Sequence, residues 1–203
     1  MLVALFAGGA VLTRAGINTA AAVAKGKSAL LAVLVMYGYF TIWSNTLVAL
    51  ITARYAWKDG DGGLLTRPGT MAAATMYIVV VGAIYNVLLA KLNHVAGLRL
   101  VTDTVLHSVV PVTYTLWWLL LVSRRRLAWS ALLPALAFPT AYCIVAMTRG
   151  ALTGKYAYFF IDIDKFGLPQ VLPNICGLVA FFAGLMVLVI GFDRWAHRRA
   201  ATG

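Results

Sequence analysis

A hydroxyl, an imidazole and a carboxylate stand inside runs that are otherwise apolar. Thr41 lies in "GYFTIWSN" (38–45), and Asp103 and His107 lie in "LVTDTVLHSVVPVTYTLWW" (100–118). An imidazole can take the proton of a threonine hydroxyl as it attacks an acyl carbonyl, then return it to the leaving alcohol. Asp103 precedes His107 by one helical turn, so the two share a face and the carboxylate can fix the imidazole tautomer. Ser44 Oγ, the Asn45 amide or a tyrosine hydroxyl can stabilise the oxyanion. Each feature also has a plainer reading. Tyr37, Thr41, Ser44 and Asn45 follow the i, i+4, i+7, i+8 spacing of one helix face, which suits hydrogen-bonded glue between membrane helices. His107 can be a buried neutral histidine on a neighbouring carbonyl, and Asp103 an ordinary acid in a first helical turn. Against the plain reading stands the rule that ionisable groups inside a membrane span mark functional sites.

The elements that must position these residues are membrane helices. Of the 203 residues, 62% are hydrophobic and only 11% charged, with mean hydropathy +0.87, too little charge to cover a soluble domain. Six spans can be placed, at about 2–23, 28–55, 70–92, 100–123, 127–148 and 171–192. The expected fold is therefore all-α, a polytopic bundle of six transmembrane helices forming one membrane domain over 1–203. The apolar start reads as a span, interrupted by Arg14, rather than as a signal peptide. Pro111 has no N–H, so the carbonyl of His107 loses its helix partner and the fourth span should kink there. At 1.5 Å per residue, Thr41 lies roughly 20 Å below the start of its span and His107 roughly 10 Å below its own, a gap that tilt must close.

The net charge is +11, and all six acids are Asp. The cations sit in short loops beside apolar spans, which fits anionic lipid head groups rather than nucleic acid. Nine Lys/Arg, including the "RRR" at 124–126, fall on the side of both termini and seven on the other, placing the termini in the cytoplasm. Cys143 and Cys176 lack ligand spacing and read as packed free thiols; no metal or cofactor is expected. In "KYAYFFIDID", Asp162 and Asp164 with the neighbouring aromatics read as an interfacial anchor sooner than a cation site. Trp117 and Trp118 read as a belt of the same kind, and Tyr85 and Asn86 as packing toward the interior.

Together "YFTIWSN", "LHSVVP" and "YAYFFID" resemble the six-span membrane proteins of the androgen-induced gene one family, over about residues 30 to 192. Animal members of that family are atypical serine/threonine-type hydrolases that cleave fatty acid esters of hydroxy fatty acids within the membrane. The resemblance implies Thr41 as nucleophile and His107 as base, and "FTIWSN" is closer to the bacterial pattern, implying a bacterial plasma membrane. No family role passes to Asp103, Ser44 or Asn45, whose orienting or oxyanion roles rest on their chemistry alone. Tyr37, Tyr85 and Asn86 are expected to line the substrate cavity, with a fatty-acyl lipid ester as substrate. A rival reading makes the same polar residues the path of a small proton or solute transporter or channel. A third makes the protein a lipid-binding one without turnover.

Overall fold

The computed structural model of the chain describes residues 1–58, 63–92, 95–122 and 126–202, with side chains as far as Arg199. Among them five helices are long and apolar enough to cross a bilayer, or six when the bent pair Ala29–Met36 and Phe40–Trp57 counts as one crossing. The protein is an all-α polytopic membrane bundle, and its chain falls into two compact units, Met1–Arg124 and Arg125–Gly203. Arg124 and Arg125, which enter the charge-based orientation, lie outside the described residues.

The first unit holds α1 (Leu2–Val23), α2 (Ala29–Met36), α3 (Phe40–Trp57), α4 (Pro68–Ile84), α5 (Leu98–Thr104) and α6 (Val110–Leu121). Small residues let α1 lie close along α3, with Ala7 fully buried and Gly8 facing Ala49. On its other side α3 packs against α4, which carries the buried run Met71–Val81, broken only by half-buried Val79, and α4 packs on α6. Pro68 opens α4 at a position where a missing N–H costs nothing.

The second span is not the single helix that its apolar run suggests. It breaks at residues 37–39, and α2 and α3 meet at 88°. Gly38 weakens the helix there, and Tyr39 is extended (φ −116°, ψ 133°). The indole N–H of Trp43 donates to the Tyr37 carbonyl at 2.6 Å, the acceptor that Thr41 N–H would use in an unbroken helix. Tyr37 therefore leaves the face of Thr41, Ser44 and Asn45. Thr41 becomes the second residue of α3, and depths summed along one straight axis no longer separate it from His107.

The third and fourth spans each contain a π-helical turn, Tyr85–Leu89 after α4 and Val105–Val109 between α5 and α6. Such one-residue widenings occur often at functional sites. At Pro111, where a kink is expected, the structure places the second of these π turns immediately before the proline. Trp118 is buried, so it packs in the core rather than in an interfacial belt, whereas Trp117 meets Tyr55 edge-on at 5.0 Å.

The second unit holds α7 (Leu132–Thr153), α8 (Ile163–Phe166) and α9 (Leu168–Thr202). The sixth span thus begins earlier and runs further than its apolar core, with Pro173 inside it. Buried Asp193 of α9 accepts the Leu127 N–H at 2.8 Å, and Arg194 donates to the Leu127 carbonyl at 2.9 Å, fastening the start of the unit to its last helix. Asp162 caps α8, accepting from Lys165 N–H at 3.1 Å, and Asp164 sits in the first turn of that helix. The loop acids thus begin a helix. Cys143 is half-buried and Cys176 exposed, so the second thiol is not packed within its unit.

Candidate active site

The site lies wholly within the first unit. Thr41 Oγ1 is 3.2 Å from Nε2 of His107, across 66 positions of sequence. The histidine is buried, and its Nδ1 is 2.9 Å from the main-chain carbonyl oxygen of Asp103. A carbonyl only accepts, so Nδ1 carries the ring proton and Nε2 presents its lone pair. The Thr41 hydroxyl then donates to Nε2. This is the arrangement of a nucleophile and its general base, at the long end of hydrogen-bond range as is usual without substrate.

The orienting group differs from the one the sequence suggests. Asp103 does fix the tautomer, but with its backbone; its carboxylate Oδ1 stands 3.7 Å from Nδ1. That carboxylate is engaged elsewhere. Arg14 of α1 donates to Oδ1 at 2.5 Å, and the Tyr85 hydroxyl donates to Oδ2. The Tyr85 ring lies flat on the imidazole, centroids 3.7 Å apart and planes 15° apart. Tyr85 therefore touches the base directly as well as its neighbour.

The two asparagines serve the backbone. With a π turn ahead of it, Pro111 leaves both the Leu106 and the His107 carbonyls short of an N–H donor. Asn45 Nδ2 donates to Leu106 O at 3.2 Å and to Thr41 O at 2.8 Å. Asn86 Nδ2 donates to His107 O at 3.0 Å and to Gly82 O at 2.8 Å. An amide has two N–H donors, so neither asparagine keeps one for an oxyanion. Asn45 is corrected from oxyanion donor to the residue that ties α3 to the π turn carrying His107. Ser44 Oγ is buried without a hydrogen-bond partner among the described residues, so its hydroxyl stays free to donate. Tyr37 shares a hydrogen bond with Thr46 at 3.3 Å and packs against the cluster of Ala10, Val11, Met36, Ile42 and Leu106.

Gly82 is what lets α4 and α6 close on this turn. A Cβ there would stand 3.0 Å from Pro111 Cβ and 3.2 Å from the His107 carbonyl oxygen. Gly82→Ala should therefore cost about 1–3 kcal/mol in thermal or denaturant unfolding, as overpacking does. It should also loosen the Asn86 bond to His107. Unchanged stability would mean that α4 and α6 are free to separate.

Arg14 and the Tyr85–His107 stack escape a residue-by-residue reading of the sequence. The signal for Arg14 was its charge, opposite in sign to Asp103, deep in an apolar span. Compared with models of protein families, with curated proteins and with solved structures, the chain matches none. The geometry of these side chains is therefore what bears on function.

Proposed function

We propose that the protein is an intramembrane threonine-type hydrolase of a fatty-acyl lipid ester, of the kind found in the androgen-induced gene one family. The observation that carries this is the contact of Thr41 Oγ1 with a histidine nitrogen whose lone pair faces it, at 3.2 Å. In the first step Oγ attacks the acyl carbon while its proton passes to Nε2. The carbonyl oxygen takes the electron pair and becomes an oxyanion, for which the buried Ser44 hydroxyl, one turn along α3 and without a hydrogen-bond partner among the described residues, is the candidate donor. Collapse of this intermediate expels the alcohol, which takes the proton from the imidazolium. Water then repeats the sequence on the acyl-threonine and releases the fatty acid. The Asp103 carboxylate at 3.7 Å favours the transient imidazolium, which would otherwise stand alone in a medium of low dielectric. Thr41 is only half-buried.

The transport reading makes His107, Asp103 and the polar stripe the path of a proton or a small solute. In this structure Arg14 and Tyr85 occupy both oxygens of the Asp103 carboxylate. Proteoliposomes separate the two readings: fatty acid released from a synthetic fatty-acyl ester by the wild type is expected. Proton uptake into the vesicles without ester turnover would hand the site to transport.

The Lys/Arg bias of nine against seven supports an orientation with both termini in the cytoplasm and the basic loops against anionic head groups of a bacterial plasma membrane. A cysteine tag at either terminus should react only from the cytoplasmic side. Labelling of both from outside would reverse the orientation.

A further inference from the structure

Arg14 has no part in the steps above, yet it is an arginine in the middle of an apolar helix, 17% exposed at its side chain. Burying an arginine–carboxylate pair is costly, and apolar side chains would join α1 to α5 at lower cost. What the pair does beyond joining helices is visible in its contacts. Arg14 holds Oδ1 of Asp103 at 2.5 Å, and Tyr85 donates to Oδ2 of the same carboxylate. With both oxygens occupied, the imidazole Nδ1–H goes to the Asp103 main-chain carbonyl at 2.9 Å instead of to the carboxylate. The Tyr85 hydroxyl, anchored on that carboxylate, keeps its ring flat against the imidazole at 3.7 Å.

We propose that Arg14 is a positioning residue of the hydrolase: it clamps the Asp103 carboxylate, and through Tyr85 this fixes the His107 ring with Nε2 aimed at Thr41. A histidine set by a main-chain carbonyl and an aromatic face needs such a clamp. Without Arg14 the carboxylate is free to turn, and with it the Tyr85 hydroxyl that it anchors, so the Tyr85 ring no longer holds the imidazole in line. Removing the carboxylate as well leaves Tyr85 without that anchor. This rests on the hydrolase reading above.

The test uses the purified full chain in lipid nanodiscs, with a long-chain p-nitrophenyl ester for kcat and KM. Arg14→Met should lower kcat by about 10²-fold, the size of a misplacement of about 1 Å, with KM nearly unchanged. Arg14→Lys should recover part of the loss, because the charge returns without the planar fork. Arg14→Met leaves Asp103 buried and unpaired and can fail to fold, so a second variant, Arg14→Met with Asp103→Leu, removes both charges. That replacement of a buried pair by apolar groups is commonly neutral or stabilising. A folded double variant with kcat reduced and the Tyr85 stack on His107 lost supports the clamp; one with wild-type kcat overturns it, because the pair would then be packing only.

Isotope-edited NMR of the histidine ring nitrogens, with His107 assigned from its own Ala variant, keeps the two claims apart. Wild type should show the Nδ1–H tautomer with the His107 ring protons shifted upfield by the stacked Tyr85 face, and the double variant should lose that upfield shift. An unchanged upfield shift in both overturns the clamp even if the ester is never turned over. A wild type that shows the Nδ1–H tautomer but cleaves no ester overturns the hydrolase reading instead.

Discussion

Thr41→Ala is expected to abolish ester turnover in a protein that still folds. The acyl intermediate needs an Oγ, and removing a nucleophile that works as a unit with its base costs up to about 10⁶-fold in kcat. The structural loss is small by comparison. Thr41 Oγ1 makes one side-chain hydrogen bond, to His107 Nε2, worth about 0.5–1.5 kcal/mol. Asn45 still bonds the main-chain carbonyl of residue 41, so α3 keeps its tie to the π turn. Thr41→Ser should retain part of the activity, since the nucleophile remains while the β-methyl that restricts its rotamer is lost. Turnover of the Ala variant at the wild-type rate, with thermal unfolding unchanged, would leave the hydroxyl as packing glue.

His107→Ala is expected to lower kcat by about 10²–10⁴-fold, as loss of a general base does, with less effect on KM. The fall should be smaller than for Thr41→Ala, because the hydroxyl remains as a weak nucleophile. This variant also exposes one face of Tyr85 and leaves the Asp103 carbonyl without its ring donor. A drop in stability is therefore part of the prediction, and kinetics must be taken on protein shown to be folded. A folded His107→Ala variant with full kcat would remove the base and with it the pairing logic.

Much of the fold was legible because a bilayer permits few solutions. Long uncharged runs must be helices, and polar side chains within them must face one another. The opposition of Thr41 and His107 could be proposed on those grounds, as could a free carbonyl at Pro111. The 88° break at residues 37–39 could not, because a lone glycine among aromatics inside an apolar run is tolerated in many helices. That break moved Tyr37 off the stripe and changed Thr41 from a mid-helix residue to a first-turn one. The orienting role of a main-chain carbonyl was equally hidden, since sequence names side chains and not which backbone groups lose their partners. The Tyr85 stack depends on a π turn, and π turns have no dependable sequence signature. Arg14 is the case where more could have been read. A cation and an anion placed deep in two apolar spans cannot both face lipid, so their pairing was available from charge alone.

The central claim is that Thr41 Oγ is a nucleophile activated by His107, and mapping a covalent adduct tests it most directly. Purified wild type in nanodiscs is treated with a long-chain alkyl fluorophosphonate, digested, and read by mass spectrometry. The phosphonyl group is predicted on Thr41, formed at a rate that falls sharply in His107→Ala and is absent in Thr41→Ala. An adduct on Ser44 or another hydroxyl that persists in Thr41→Ala, or no adduct on a folded protein that still cleaves the ester, would contradict it.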